Sequence, residues 1–143
     1  MKYPSAKWPN KVGKYQALVG AGAGYFYDDI LEYRVWMHPE KGDRDCFNGN
    51  DYYYSFANYG DAFKFSKTNE GAEEPRALIL QKEHINEPET GKFIHIKKRR
   101  LTEWDIKFID KKHKRKRGSI DYFIKNGKFK GIDKKTQKNL RWR

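Results

Sequence analysis

"ALVGAGAGYFYDDILEYRVW", residues 17–36, places three glycines in five positions after a short apolar run. Its reading decides which sheet the chain can build. A dinucleotide fingerprint needs Gly-x-Gly-x-x-Gly closing a strand and opening a helix, which leads to a doubly wound parallel sheet. Gly20 and Gly22 fit its first two positions, but the third falls on Tyr25. The residues that follow are rich in β-formers, so no helix N-terminus is offered to a pyrophosphate. The Walker pattern fails as well, because no Gly-Lys-Ser/Thr follows. The glycines therefore read as a turn or bulge, where a missing Cβ tolerates positive φ.

Working outward, strands are expected at Glu32–Met37 and Asp51–Ala57, joined by a loop with Pro39, Gly42 and the Asn48-Gly49 turn signal. Asn58 is a suitable N-cap for a helix over about 59–67, with Ala62 and Phe65 on one face. Arg76–Ile85 is the most apolar strand and is expected to be central. Lys92–Lys98 and Thr102–Ile109 follow as strands, the latter with Trp104, Ile106 and Phe108 on one face. One helix among five strands predicts an α+β fold on a largely antiparallel sheet.

The chain has 143 residues, 37% hydrophobic but 16% aromatic, so aromatics must supply much of the core. No apolar run approaches the ~20 residues of a membrane span. The N-terminal stretch has no apolar segment of signal-peptide length, so a cytoplasmic setting is expected, with no membrane partner. Cys46 is alone, which excludes an internal disulfide and a cysteine-cluster zinc site. The four histidines, at 38, 84, 95 and 113, lack metal-ligand spacing, so no metal is expected. His95 is a candidate general base that could meet Glu103 only across strands.

Charge divides the chain. Residues 1–96 carry 12 Lys/Arg against 14 Asp/Glu, and residues 97–143 carry 19 against 5. Residues 111–143 alone hold 14 against 2, which accounts for the whole net charge of +12. That asymmetry predicts a compact domain over 1–110 and a basic extension over 111–143. Within the extension, "KKHKRKRG" supplies Lys111, Lys112, Lys114, Arg115, Lys116 and Arg117, a block of like charge that gains from a polyanion by counterion release. "SIDYFIKNGKFKGI" follows, and Asn126-Gly127 is a two-residue hairpin signal. Tyr122, Phe123 and Phe129 interleave with Lys125, Lys128 and Lys130. Cations that track phosphates and aromatics that stack bases together predict DNA or RNA as partner. The plainer alternative is a solvated extension docked by its aromatics.

Two resemblances bear on the body. The blocks "EYRVW", "YYYSFANYGDAFKFS" and "RLTEW" resemble small bacterial proteins labelled GNAT-type acetyltransferases. However, "LVGAGAG" lacks the leading Arg or Gln of that family's coenzyme loop and no helix follows, so the label does not carry over. From Tyr33 to about Ile85 the chain resembles a small ADP-ribosyltransferase-type domain. The resemblance rests on Tyr33-Arg34, on Tyr54-Ser55-Phe56 running into a helix, and on Gln81-Lys82-Glu83. It implies NAD as cofactor. Arg34 would grip its phosphates, Ser55 would orient the nicotinamide-side ribose, and Gln81 and Glu83 would share one strand face. Glu83 would stabilise the oxocarbenium-like centre. Glu103 competes for the carboxylate role from its own strand. Each residue also has a plainer role: Arg34 as an ion-pair partner, Ser55 as a strand polar, Glu83 on a solvated face.

Three functions follow from these residues. The first is an ADP-ribosyltransferase-like domain with a nucleic-acid-binding tail. The second is a non-catalytic nucleic-acid-binding module, and the third a protein-interaction or inhibitory module.

Overall fold

The structure, a computed structural model, describes residues 3–16, 25–42, 44 and 49–129. The glycines at 20, 22 and 24, Cys46 and Lys130 lie outside the described residues. The chain is α+β, as expected. Strand β1 (Asp29–Met37) pairs antiparallel with β2 (Tyr52–Phe56) on one side and β3 (Arg76–Gln81) on the other. Strand β6 (Arg100–Asp105) completes a four-stranded sheet of order β2-β1-β3-β6, and β4 (His84–Glu89) with β5 (Lys92–Ile96) forms a separate hairpin.

Helix α1 (Tyr59–Thr68) begins where expected, because the Asn58 side chain accepts the Asp61 backbone N–H at 2.8 Å. Its buried Ala62 meets the face of β1 that carries Tyr33, Val35 and Met37, while Phe65 packs on Phe56. The opposite face of the sheet is covered by the N-terminal arm, whose Trp8 and Tyr15 pack on Leu31, Leu78 and Leu80. A register shift between Ile30 and Glu32 is a β-bulge. Leu31 lies among the apolar residues of the arm-side face, and Glu32, two residues before Arg34, points to that face too.

Three expectations about elements are corrected. The segment 76–85 is not one strand. Strand β3 is interior, but it ends at Gln81, and Lys82 leaves the sheet with its N–H donated to Asp28 Oδ2 at 2.7 Å. Five apolar or buried positions from Ala77 to Gln81 cannot be extended by a Lys-Glu pair into the same core. The strand expected over 102–109 stops at Asp105 and gives way to a 3₁₀ turn, Ile106–Phe108. Trp104 and Phe108, four apart, also suit a helical turn, and both reach the core.

The third correction is the largest. The expected C-terminal hairpin is absent over 119–127, and helix α2 (Ser119–Asn126) stands in its place. Gly127 caps it in the left-handed conformation, φ 68°, and donates its N–H to the Phe123 carbonyl. Asn-Gly serves a helix end as well as a hairpin, and Ile120, Phe123 and Ile124 fall on one helical face. That face packs on Tyr25, Phe26 and Ile85. Phe123 is 0% exposed and Phe129 2%. The expected boundary at 110/111 therefore runs through packed structure, and residues 111–129 belong to the body.

Candidate functional site

The arm-side face of the main sheet gathers Arg34 and Ser55 with Glu103, the competitor for the carboxylate role expected of Glu83. Register explains it: Arg34 lies opposite Ser55 on β2 and Arg76 on β3, and Leu78 lies opposite Glu103. Arg34 is fully buried, and each of its three guanidinium nitrogens donates one hydrogen bond. Nε donates to Glu32 Oε2 at 2.7 Å, Nη1 to Glu103 Oε2 at 3.4 Å and Nη2 to the Gln16 carbonyl at 2.6 Å. Its guanidinium lies 4.3 Å from the centroid of the Tyr53 ring. Ser55 Oγ donates to Glu32 Oε2 at 3.0 Å. Glu103 also accepts from Trp36 Nε1 and, at 2.7 Å, from Arg76 Nε. Arg76 reaches on to Asp105 at 2.6 Å. The arm closes the cluster, since the Gly13 N–H donates to Glu32 Oε1 at 2.8 Å. Burial pushes the Tyr53 phenol up from its ordinary pKa, although the Arg34 cation pulls the other way. A buried carboxylate is tolerated when paired and hydrogen-bonded, and Glu32 and Glu103 are both.

Gln81 and Glu83 are not part of this arrangement. Gln81, fully buried, donates to the Phe26 carbonyl and accepts from Arg100 Nε at 2.7 Å. Glu83 lies beyond the end of β3, so the two do not share a strand face. It meets His95, with Nε2 2.5 Å from Glu83 Oε1, and the other ring nitrogen lies 3.6 Å from Asp121. His95 thus finds Glu83 rather than Glu103. Arg115 spans the same region, 2.7 Å from Asp28 and 3.8 Å from Glu83. This network ties the basic segment to the body.

The basic segment itself is folded. Tyr27 donates its N–H to the His113 carbonyl and accepts from the Arg115 N–H. His113 is wholly buried, and its Nδ1–H donates to Asp110 Oδ1 at 2.7 Å. Burial raises the Asp110 carboxyl, but the hydrogen bonds and charge of His113, helped by Lys112, hold it below its ordinary value. With that anchor fixed, Lys111, Lys112, Lys114, Lys116 and Arg117 line a concavity of about 320 Å³ with Phe26, Ser119 and Tyr122. Gly118 and Ser119 at the start of α2 form part of its wall, so the positive end of the helix dipole adds to the field.

The other members of the expected nucleic-acid set stand elsewhere. Phe123 and Phe129 are core residues and present no face to a base, which corrects their expected stacking role. Lys125 and Lys128 are outside the pocket wall, and Arg115 is spent on Asp28. Two histidines remain. His84 is buried, and its Nδ1–H donates to the Lys98 carbonyl at 3.0 Å; burial first, then Arg100, lowers its pKa. His38 stands among three carboxylates, those of neighbouring Glu40 and of Asp51 and Glu73, and the last two are joined to it only by the fold.

Comparison with protein-family models, with curated proteins and with solved structures finds no match to this chain. Among the described residues, no helix is long and apolar enough to cross a membrane.

Proposed function

We propose that the protein binds nucleic acid, with the phosphate backbone seated in the basic concavity before α2 and Tyr122 placed to stack on a base. One observation carries the reading: five cationic side chains surround a single walled hollow instead of radiating from a loose tail. A rigid basic hollow concentrates potential and spares the entropy that a flexible chain loses on binding. Each neutralised phosphate releases condensed counterions, so affinity must fall with salt.

The test is fluorescence anisotropy with single-stranded and duplex oligonucleotides across a salt series. Log affinity should fall linearly with log salt, with a slope of roughly 0.7 per phosphate contact for single strands and 0.9 for duplex. Replacing Lys114, Lys116 and Arg117 together by Ala should flatten that slope. Tyr122→Ala should cost about 1–3 kcal/mol on single strands if a base stacks there. Absence of binding at low ionic strength would overturn the proposal.

A second reading, dinucleotide-dependent ADP-ribosyl transfer, is supported by the meeting of Arg34, Ser55 and Glu103. Each guanidinium nitrogen of Arg34 already makes one hydrogen bond, that of Nη2 to the Gln16 carbonyl of the arm, so this reading requires residues 3–16 to lift away and free the guanidinium for a pyrophosphate. NAD should then raise the thermal midpoint of the native protein by mass action, and Arg34→Lys should remove the shift. An unchanged midpoint at millimolar NAD rejects it.

A further inference from the structure

Three strand ends meet beside His38. The residue follows β1, Asp51 precedes β2 and Glu73 lies just before β3, so the antiparallel pairing of β1 with both neighbours brings these positions together. Backbone bonds hold them there: the His38 N–H donates to the Gly71 carbonyl, and the Glu73 N–H donates to the Trp36 carbonyl, both at 2.9 Å. The turn after His38 is closed by the Lys41 N–H on the His38 carbonyl at 2.9 Å, which folds Glu40 back toward the ring. Gly42 ends that turn at φ 104°, and a Cβ there would lie 2.5 Å from Glu70, so only glycine fits without displacing it.

Carboxylates face both nitrogens of the imidazole. Nδ1 lies 3.0 Å from Asp51 Oδ1 and 3.5 Å from Glu40 Oε1. These donor atoms all lie within 4.8 Å of one another. Nε2 lies 3.2 Å from Glu73 Oε2. Both ring nitrogens are shut off from solvent, and neither makes an aligned hydrogen bond, despite three carboxylates in reach. Ligands around one tetrahedral ion at about 2.0–2.2 Å stand roughly 3.3–3.6 Å apart, and Nδ1 lies at comparable distances from both carboxylates. A carboxylate on the far nitrogen is the usual orienting partner of a metal-bound imidazole.

We infer that His38 Nδ1, Glu40 and Asp51 form a binding site for a divalent transition-metal ion, with Glu73 orienting the ring. One imidazole and two carboxylates suit Zn²⁺, Fe²⁺ or Mn²⁺ better than the all-oxygen preference of Mg²⁺ or Ca²⁺. Three protein ligands leave a position open to water or to an anionic oxygen. The side chains of Glu40 and Asp51 are 60% and 43% exposed, so the ion has a path in. The site lies at the far end of β1 from Phe26 and the basic hollow, and it stands whether or not the nucleic-acid reading does.

The test uses the full chain, stripped with a chelator, titrated with Zn²⁺ in a calorimeter and then with Co²⁺ in a spectrophotometer. One equivalent of Zn²⁺ should bind and raise the thermal midpoint, and Mg²⁺ should not compete. His38→Asn and Asp51→Asn should each weaken binding by about tenfold or more, and Glu73→Gln by about 10–100-fold. Metal-free midpoints identify any variant that has lost its fold. Glu40→Gln, whose side chain is largely in solvent, tests the site if His38→Asn fails to fold. The Co²⁺ form should show visible d–d absorption and no thiolate charge-transfer band. A thiolate charge-transfer band would place the ion on Cys46 and overturn the inference. So would failure to bind Zn²⁺, or equal binding by the wild type and the Glu40→Gln and Asp51→Asn variants.

Discussion

Two regions of this molecule gather charge, and they use it in opposite ways. On the arm-side face of the main sheet, Glu32, Arg34, Glu103 and Arg76 satisfy one another away from water. Around the hollow before α2, Lys111, Lys114, Lys116 and Arg117 face solvent over a wall anchored by buried His113. Enclosed charge is costly to unpair and so fixes register between strands. Exposed charge of one sign adds little to the fold and leaves its field for a partner. Net charge alone would have ranked only the second region as informative.

The sharpest way to break this contrast is to remove one member of the enclosed set. Arg34→Ala would leave Glu32 and Glu103 buried without their shared cation, and a loss of about 3–5 kcal/mol in unfolding free energy is expected by denaturant titration. Arg34→Lys should recover little of it, since a point charge cannot bond three ways and stack on Tyr53. A comparable loss, about 3–5 kcal/mol, is expected for Phe123→Ala. That result would establish that the segment bearing the exposed cations is itself body. A stable Phe123→Ala protein would restore the idea of an appendage.

A smaller effect concerns pH. Asp110 has its folded pKa below the ordinary 3.8, so its contribution is present above that value and is lost as pH falls through the folded value. His84 is also lowered, from 6.5, so the unfolded chain takes up its proton first and stability declines as pH drops below 6.5 toward the folded value. Stability measured against pH should therefore fall in two steps on the acid side. Asp110→Asn should erase the lower step and His84→Gln the upper. The smallest change in stability, within about 0.5 kcal/mol, is expected for Lys114→Ala, Lys116→Ala and Arg117→Ala, even as nucleic-acid affinity falls. A large destabilisation by any of these would mean that the hollow, too, is structural.

Much of the first half of the fold is legible in local sequence. β1, β2 and α1 are marked by alternation, by Asn58 as a cap and by the spacing of Ala62 and Phe65. The second half misleads because its signals have two meanings. Asn126-Gly127 closes a helix as readily as a hairpin, and an apolar run such as 76–85 does not say where burial stops. The charged cluster was legible in part, since Arg34, Ser55 and Glu103 do meet, whereas Glu83 goes to His95. Which of two carboxylates faces Arg34 depends on the β3–β6 register, across 69 residues of sequence. His38, Asp51 and Glu73 share no spacing at all, and only the pairing of three strands brings them together.

The aromatic cluster built from Tyr25, Phe26, Phe123 and Phe129 has a consequence for synthesis. Its first two rings leave the ribosome nearly a hundred residues before the last two. At about 5–20 residues per second, that is roughly 5–20 s in which Tyr25 and Phe26 have no α2 to cover them. During that interval the nascent chain carries an unmet apolar surface while the strands of the main sheet are still being made. A chaperone that reads exposed aromatics should engage the chain in that window and release it once Phe129 has emerged.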